Sequence, residues 1–559
     1  MFKKKIFQVL TFLLLVLQVS AQSDFKNWYL KDPKRDHVYG ISVDKAYDEL
    51  KGKKSTPVIV AVIDSGIDTA HEDLKNILWT NTKEIPGNGI DDDHNGYVDD
   101  IHGWNFLGGK DGKNLERAAD EKTRVYYRFK SKFDGKNIRV DSLSTDEKKQ
   151  YDMWRKAAKE MTASPDDQME TMFVEVALRA IRKHDEVLRQ EMNKKEYTIE
   201  DVEKFSTPTA AGKQAKLGFL SAMKLLNFES DEKNTSIISQ MQEYIDGKKR
   251  NAEYKTQAPP DYRAQIIKDN YYDINDKYYG NNDVMGPDPV HGTHVSGIIG
   301  AQRNNGIGID GIADNVKIMM IRAVPDGDEY DKDVALAIKY AVDNGARVIN
   351  MSFGKSFSPE KKWVDEAIRY AESKDVLIVH AAGNESADMG TTENFPNSDL
   401  ITFGKTASNF ITVGASSDPG ITQSSIIASF SNYGKEKVDV FAPGVKIYST
   451  LPGGHEYGYL QGTSMAAPVV TGIAAIIRSY FPDLSAQQVK SAIENSATWP
   501  EDPGVSALKP GTNEKVKTSD LSRKGVVNAA GAVALAAQMQ PETKSPSVQK
   551  TKLKNNKPN

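Results

Sequence analysis

A serine set among small residues is the feature of this sequence best placed to do chemistry. Ser464 lies in the heptapeptide GTSMAAP (residues 462–468), where an apolar run begins. The free N–H groups and the dipole at a helix N-terminus favour a developing negative charge there, and small neighbours let a substrate backbone approach. Taken alone, a turn of this kind is usually only a helix cap. Its meaning therefore depends on which other reactive residues occupy similar turns.

Three further turns carry a carboxylate, an imidazole and a carboxamide. The apolar run over residues 58–63 ends at Asp64, which predicts a buried parallel strand with a functional carboxyl end. His291 opens a helix of small residues, and Asn384 follows an apolar run over residues 376–379. In chain order the reactive groups are Asp, His, Asn and Ser, and each is expected where a strand ends or a helix begins.

The segments around these four residues resemble those of the subtilases, the subtilisin-like serine proteases. The order Asp, His, Ser is that of subtilisin, whereas α/β-hydrolases have the order Ser, Asp, His. No Gly-x-Ser-x-Gly elbow surrounds Ser464, which argues against a lipase or an esterase. The resemblance covers residues 38–106 and 281–537. It implies an exported serine endopeptidase that acts on protein or peptide substrates.

The residue types assign the chemistry. A serine hydroxyl is a weak nucleophile at neutral pH, so a base must take its proton while it attacks a carbonyl and forms an acyl-enzyme. His291 is the candidate base, and Asp64 would hold the imidazole in the correct tautomer. Asn384 would donate its side-chain amide, together with the Ser464 N–H, to the oxyanion. His294 is expected to pack or to cap, because one base is sufficient.

Substrate contacts follow from the resemblance alone. Ser352, Phe353 and Gly354 would form an extended strand that pairs with the substrate backbone and walls the primary specificity pocket, with Gly383 nearby. Main-chain pairing of this kind accepts many sequences. Phe353 indicates either an apolar preference in that pocket or a residue that fills the core.

Calcium is the metal that the resemblance implies. Asp73 and Asn305 match the side-chain ligands of the family's structural calcium site. Backbone carbonyls near Arg303, Ile307 and Ile309 would complete an oxygen shell suited to a hard cation.

An acidic loop over residues 91–99 raises the question of a second calcium site. Asp91, Asp93 and Asn95, followed by Gly96, have the opening spacing of an EF-hand loop. Position twelve is His102 rather than Glu, and no pair of flanking helices is predicted, so the loop is not an EF-hand. A calcium site with oxygen ligands and a solvated acidic turn remain alternatives.

The arrangement of apolar segments predicts an α/β fold, with a parallel sheet and helices on both of its faces. The catalytic domain is expected over residues 22–106 and 281–540, and a mainly α-helical insertion over 107–280. Pro165 in a first turn and a capping box at Ser144 support helices in this insertion. The insertion could simply stabilise the domain, or it could act as a lid, an exosite or a substitute for the family's inhibitory prodomain, for which the sequence leaves no room before residue 57.

The composition and the two ends of the sequence indicate where the protein is expected to act. Residues 1–21 have the pattern of a signal peptide, although a retained anchor is the alternative, so we expect export to a periplasm or the exterior and no membrane span after cleavage. The net charge of −4 gives no indication of nucleic-acid binding, and with no cysteine the chain can form no disulfide. Residues 541–559 are expected to be a disordered basic tail. The oligomeric state is not indicated.

Two rival classes are considered beside a protease. One is a binding module in which a subtilase-like scaffold has lost catalysis and captures partners through its helical insertion. The other is a non-proteolytic ester hydrolase. The presence of all four reactive residue types disfavours the first, and the motif order disfavours the second.

Overall fold

The computed structural model describes residues 26–161, 165–226, 228, 232–422, 425–500 and 507–542. The candidate signal peptide (1–21) lies outside these residues, and so does the basic tail except for residues 541 and 542. None of the described helices combines the length and the apolar character needed to cross a lipid bilayer.

The described residues form strands β1 (Val58–Asp64), β2 (Gly103–Asn105), β3 (Val316–Arg322), β4 (Val348–Met351), β5 (Leu377–Ala381), β6 (Asp399–Leu400), β7 (Lys405–Thr406), β8 (Phe410–Ser416), β9 (Val440–Pro443), β10 (Ile447–Leu451) and β11 (Glu456–Leu460). Seven of them make one sheet in the order β2-β3-β1-β4-β5-β8-β9. All neighbouring pairs in this sheet are parallel. The pairs β6–β7 and β10–β11 form two separate antiparallel ribbons.

The α-helices of the described residues are α1 (Val43–Leu50), α2 (Glu121–Phe133), α3 (Thr145–Glu160), α4 (Pro165–Met192), α5 (Ile199–Lys204), α6 (Ala210–Leu226), α7 (Asn234–Tyr254), α8 (Tyr262–Ile266), α9 (Val290–Gly300), α10 (Asp331–Asp343), α11 (Lys361–Ser373), α12 (Pro419–Thr422), α13 (Thr463–Tyr480), α14 (Ala486–Ser496) and α15 (Ala529–Gln538).

Helices cover both faces of the large sheet. Along β1, Val58, Val60 and Val62 point into a core shared with α9, α13, α14 and α15. The intervening Ala61 and Ile63 point into a second core shared with α10 and α11. A strand buried on both faces must be apolar at every position, which is why residues 58–63 form a continuous apolar run. The predicted α/β fold with a doubly covered parallel sheet is confirmed.

Helices α2 to α8 lie within residues 107–280 and contribute two smaller cores. The capping box predicted at Ser144 is present at the start of α3, where its side chain and that of Glu147 each bond the other's backbone N–H. The ends of this segment lie side by side. Asn105, the last residue of β2, exchanges two backbone hydrogen bonds of 2.9 and 3.1 Å with Asn281.

Candidate active site

The four reactive residues are placed by four separate elements. Asp64 is the last residue of β1, and Asn384 follows β5. His291 is the second residue of α9, and Ser464 is the second residue of α13. Because β1 and β5 belong to the same parallel sheet, their carboxyl ends meet at one edge, which is where sites form in such sheets.

Asp64 and His291 form a hydrogen bond. The distance from His291 Nδ1 to Asp64 Oδ1 is 2.7 Å. A carboxylate can only accept, so Nδ1 carries the proton and Nε2 has a free lone pair that can receive another. Asp64 is buried, whereas 36% of the His291 side chain is exposed. The pair therefore combines a buried acceptor with an imidazole that is partly open to solvent.

The surroundings of His291 favour its protonated form. Burial lowers the pKa of the imidazole, but the charge of Asp64, the hydrogen bond to Asp64 and the charge of Asp288 outweigh burial. The pKa of His291 consequently lies above its ordinary value. A raised pKa makes the imidazole a stronger base once it is deprotonated.

Thr463 fixes the orientation of the Asn384 amide. Its backbone N–H and its hydroxyl both donate to Asn384 Oδ1, at 2.8 and 3.0 Å. The Gly383 N–H in turn donates to the Thr463 hydroxyl at 3.0 Å. With its oxygen engaged in this way, the amide turns its Nδ2 hydrogens away from Thr463. Sequence reasoning had assigned no role to Thr463, although it lies within the heptapeptide.

The missing side chain of Gly462 leaves a small space beside the Ser464 hydroxyl. A Cβ atom built on Gly462 would lie 2.9 Å from Ser464 Oγ, 3.4 Å from Asn384 Nδ2 and 3.6 Å from the Ser464 backbone nitrogen. One hydroxyl and two N–H donors therefore surround the same point. An anionic oxygen that occupied this space could accept hydrogen bonds from both donors.

A proline in α13 frees the backbone carbonyl of Ser464. Pro468 has no N–H to give to the residue four positions earlier, which is Ser464. The Ser352 hydroxyl donates to this carbonyl at 2.9 Å. Asn350 donates to that hydroxyl and accepts from Thr471, both at 2.9 Å. This buried chain of hydrogen bonds anchors the serine backbone to β4.

The segment 352–354 follows β4 at the same sheet edge. Gly354 is exposed, and a Cβ at this residue would lie 2.4 Å from Asn394 Oδ1. The Asn394 amide donates to the Ala382 carbonyl at 2.9 Å. Asn394 therefore lies directly against the predicted substrate segment, and sequence reasoning did not identify it.

Phe353 is partly buried against the second core. Its ring meets that of His380 edge to face, with centroids 6.4 Å apart. Burial lowers the pKa of His380 to about 4, so this histidine is neutral near pH 7. The Phe353 side chain thus packs against the core, while its backbone is part of the segment predicted to wall the specificity pocket.

His294 packs in the interior, as the sequence predicts. Its Nε2 lies 3.1 Å from the Gly458 carbonyl in β11, and burial lowers its pKa to about 3. A histidine with so low a pKa stays neutral and is poorly suited to act as a base near neutral pH.

A buried guanidinium lies beside the Asp64 turn. Arg322 pairs with Asp64 in the β1–β3 register, and its Nε donates to the Ser65 carbonyl at 2.9 Å. Its other nitrogens donate to Asn105 Oδ1 at 3.1 Å and to the Leu115 carbonyl at 2.7 Å. Burial lowers the pKa of Arg322 to about 10. This residue, also missed from the sequence, links the Asp64 turn to the 107–280 segment.

The two residues of the first predicted calcium site lie together. Asp73 is fully buried, and its carboxylate accepts from Asn305 Nδ2 at 2.5 Å, from the Ile309 N–H at 3.2 Å and from the Tyr457 hydroxyl at 2.9 Å. The residue types fit a hard cation, because they supply one carboxylate and one amide oxygen. The Asn305 oxygen now accepts from the Ile307 N–H, so the amide must turn for that oxygen to face an ion. Tyr457 was not predicted.

In the acidic loop, a residue from outside the spacing pattern lies beside two of the predicted ligands. Asp91 and Asp93 come together with the buried Glu84, and ligand atoms of the three lie within 4.8 Å of one another. The Asn95 side chain is engaged elsewhere, since it donates to Asp100 at 3.1 Å and accepts from the Tyr97 N–H at 2.8 Å. The acidic side chains close enough to share a metal ion are therefore those of Glu84, Asp91 and Asp93, and Glu84 was not predicted.

Comparison with known proteins agrees with this geometry. The family model described as the subtilase family matches residues 55–557. A thermophilic serine proteinase from Bacillus sp. (strain AK1) is 39% identical over 239 residues, which are 43% of this chain and 53% of that protein. Subtilisin BL from Lederbergia lenta is 36% identical over 37% of this chain and 70% of its own length. Thermitase from Thermoactinomyces vulgaris is 37% identical over 41% of this chain and 77% of its own length.

The matched part of the chain thus spans about half of the first of these relatives and a larger share of the other two. The family model covers most of the sequence, from ahead of β1 to beyond α15. The chain belongs to the subtilase family, the subtilisin-like serine proteases.

Proposed function

We propose that this protein is an exported serine endopeptidase in which Asp64, His291 and Ser464 form the catalytic triad and Asn384 completes the oxyanion hole. The observation that carries the proposal is the space at Gly462, which Ser464 Oγ, Asn384 Nδ2 and the Ser464 N–H all border. Family membership supports the assignment, as does the 2.7 Å bond between Asp64 and His291.

The proposed reaction follows from these atoms. His291 Nε2 takes the hydroxyl proton of Ser464 while Oγ attacks the substrate carbonyl carbon. The carbonyl oxygen becomes an anion in the space at Gly462, where two N–H groups stabilise it. The C–N bond then breaks, and the imidazolium returns its proton to the leaving amine. A water molecule, deprotonated by His291, releases the acyl group from Ser464 in the second half of the reaction.

We assign substrate binding to residues 352–354 and to Gly383. Main-chain pairing with a peptide gives affinity without a strict sequence requirement, and Gly354 is the exposed residue of this segment. Asn394, which lies against Gly354, would present a polar group at the base of this wall.

Labelling with a fluorophosphonate tests the catalytic assignment. We expect the full chain to be labelled at Ser464 and a folded Ser464→Ala variant to be neither labelled nor active on a quenched peptide substrate. A folded chain without labelling would favour the binding-module alternative. Labelling together with ester hydrolysis, but with no cleavage of any peptide in a library, would favour an ester hydrolase.

We propose that Asp73 and Asn305, with the carbonyls of residues 303, 307 and 309, hold a structural calcium ion. A bound ion would supply ligation and charge that tie the loop after β1 to the loop after α9, and it would take no part in the reaction. We expect chelation to lower the melting temperature of the wild type by more than it lowers that of Asp73→Asn. Equal melting temperatures of the wild type with and without chelator would contradict this site.

Glu84, Asp91 and Asp93 are the proposed second site. A residual effect of chelator in the Asp73→Asn variant, abolished by adding Asp91→Asn, would support calcium there. If Asp91→Asn changes neither calcium stoichiometry nor the response to chelator, the loop is an acidic turn held by its own hydrogen bonds.

The proposed domain organisation is a catalytic domain over 22–106 and 281–540, interrupted by residues 107–280. The antiparallel contact between Asn105 and Asn281 supports an insertion, because both ends of the segment meet at one place. We also propose that residues 1–21 are a signal peptide removed on export. Sequencing the N-terminus of secreted protein tests this, and a start at Met1 would show a retained anchor.

A further inference from the structure

The side chain that follows the candidate substrate segment is a buried lysine. Lys355 comes directly after Gly354, and only 1% of its side chain is exposed. Lysine is rarely buried to this degree unless its charge is paired. The Lys355 ammonium contacts Glu121 Oε2 at 2.7 Å, Asp331 Oδ1 at 2.8 Å and the Glu329 carbonyl at 2.7 Å. All three donors of this ammonium are therefore used.

These partners come from two different parts of the chain. Asp331 and Glu329 belong to the loop and helix that follow β3 in the sheet. Glu121 is the first residue of α2, within the 107–280 segment. The pairing therefore connects the candidate substrate segment to an element outside the catalytic core.

Glu121 is itself held rigidly. Arg124 donates to both of its carboxylate oxygens, at 3.2 and 2.6 Å, and also to the carbonyls of Asp328 and Glu329. The Glu121 N–H donates to Asp328 Oδ2 at 2.7 Å. Although burial opposes its charge, Arg124 and Lys355 lower the pKa of Glu121 to about 2, so it is ionised at neutral pH.

The residues after Lys355 are held by the same helices. Phe357 is buried in a core made by Val125, Phe129 and Phe133 of α2 and by Ala157 of α3. Lys156 of α3 donates to the Ser356 carbonyl at 3.1 Å. Residues 352–354 are thus held at one end by β4 and at the other end by residues 355–357, which contact α2 and α3.

We propose that Glu121 is a positioning residue that holds the candidate substrate segment, residues 352–354, through Lys355. The proposal rests on the proposed function, since it assigns Glu121 to the substrate-binding part of that site. Pairing with a peptide backbone requires the N–H and C=O groups of the segment to be placed within a fraction of an ångström. Loss of the Glu121 charge leaves Lys355 with one anionic partner and frees the segment to shift.

The experiment compares a long and a short substrate. Only an extended peptide can pair with residues 352–354, whereas a single-residue ester and a fluorophosphonate report on the triad alone. In Glu121→Gln and in Lys355→Met we expect kcat/KM for a tetrapeptide amide to fall about 10- to 100-fold, mainly through KM. Ester hydrolysis and the labelling rate should match those of the wild type.

Two controls separate positioning from stability. Asp185→Asn makes the same chemical change in another buried carboxylate of the 107–280 segment, one that accepts from Tyr197 and Asn234 instead. It should lower the melting temperature and leave the ratio of peptide to ester activity unchanged. The double variant Glu121→Gln/Lys355→Met should be no worse than Lys355→Met, because Glu121 acts through Lys355.

A hydrogen-exchange measurement on Glu121→Gln gives a second test. This variant keeps the Lys355–Asp331 contact and should fold. Hydrogen exchange of the amides over residues 352–356 should be faster in Glu121→Gln than in the wild type. Three results would overturn the proposal: equal losses of peptide and ester activity in Glu121→Gln, unchanged peptide kinetics in that variant, or the same shift of the peptide-to-ester ratio in Asp185→Asn. If the wild type is labelled at Ser464, the protease assignment stands in each of these cases. A wild type that is not labelled at Ser464 would overturn both.

Discussion

The space beside Ser464 gives the sharpest prediction. Gly462 has φ 151° and ψ 165°, a backbone conformation reached almost only by glycine. Replacing it with alanine places a methyl group 2.9 Å from Ser464 Oγ and 3.4 Å from Asn384 Nδ2. Ordinary carbon contacts lie near 3.5–4.0 Å, so the new atom would occupy the space we assign to the oxyanion.

The size of the effect follows from the two donors around this space. Removal of one oxyanion donor costs about 10²–10³-fold in kcat, a figure measured in subtilisin, a member of the same family. A methyl group in the space excludes the oxyanion from both donors, so we expect Gly462→Ala to lose at least about 10³-fold in kcat. The strained backbone should also lower the free energy of unfolding by about 1–3 kcal/mol.

Peptide turnover and thermal unfolding separate these two effects. Gly404→Ala is the matched control, since Gly404 also has a positive φ, of 59°, but open space around its absent side chain. It should lose some stability and keep full kcat. If Gly462→Ala folds and still hydrolyses peptides at the wild-type rate, the oxyanion does not form where we place it.

Three further predictions concern the electrostatics and anchoring of the site. Because the pKa of His291 lies above its ordinary value, activity should be lost as pH falls through that raised pKa, and Asp288→Asn should move the acidic limb of kcat/KM to lower pH. Thr463→Val removes the hydroxyl bond to Asn384 Oδ1 and keeps the backbone N–H bond, so the amide should be held less firmly and kcat should fall with little change in KM, which steady-state kinetics would show. Burial raises the pKa of Glu329 to about 8, so the folded state binds this proton more tightly than the unfolded state does. Stability should therefore fall as pH rises from about 4.5 to about 8, and Glu329→Gln should flatten this dependence in denaturant titrations.

Sequence reasoning succeeded where a residue's position in an element dictates where it must lie. The apolar run before Asp64 has to be a strand buried on both faces, and its carboxyl end has to meet the other strand ends at one edge. The same logic applies to Asn384 after β5. The structure brings these residues close to the helix starts that carry His291 and Ser464, although the sequence separates them widely.

The position of a residue in its own element does not reveal a role that depends on a partner far away in the sequence. Asn350, Ser352 and Thr471 form one hydrogen-bonded chain to the Ser464 carbonyl, yet each is an ordinary polar residue in its own segment. One signal was available. A proline four residues after Ser464 removes a helical hydrogen bond, so the Ser464 carbonyl had to find another donor.

The acidic loop shows what residue spacing leaves open when a motif stands outside its usual structure. The spacing of Asp91, Asp93 and Asn95 is that of the start of an EF-hand loop, although His102 at position twelve and the lack of predicted flanking helices already argue against an EF-hand. Here no helix flanks the loop, and the chain turns so that the Glu84 side chain lies beside those of Asp91 and Asp93. Glu84 binds the N–H groups of Asp92 and Asp93, a contact that sequence spacing cannot indicate.

The insertion that we propose over residues 107–280 occupies a place in the fold that suits a long interruption between Asp64 and His291. The chain leaves after β2, an edge strand of the sheet, so the added helices displace no strand from the interior. It returns at Asn281, which is hydrogen-bonded to Asn105. The entropic cost of closing a loop grows only slowly with the length of the loop, so a long segment between these two residues costs little more than a short one. The catalytic core therefore needs nothing from the segment to close its sheet. What the segment does contribute is Glu121 at Lys355 and the Leu115 carbonyl at Arg322, two contacts at the edge of the sheet where Asp64 and the candidate substrate segment lie.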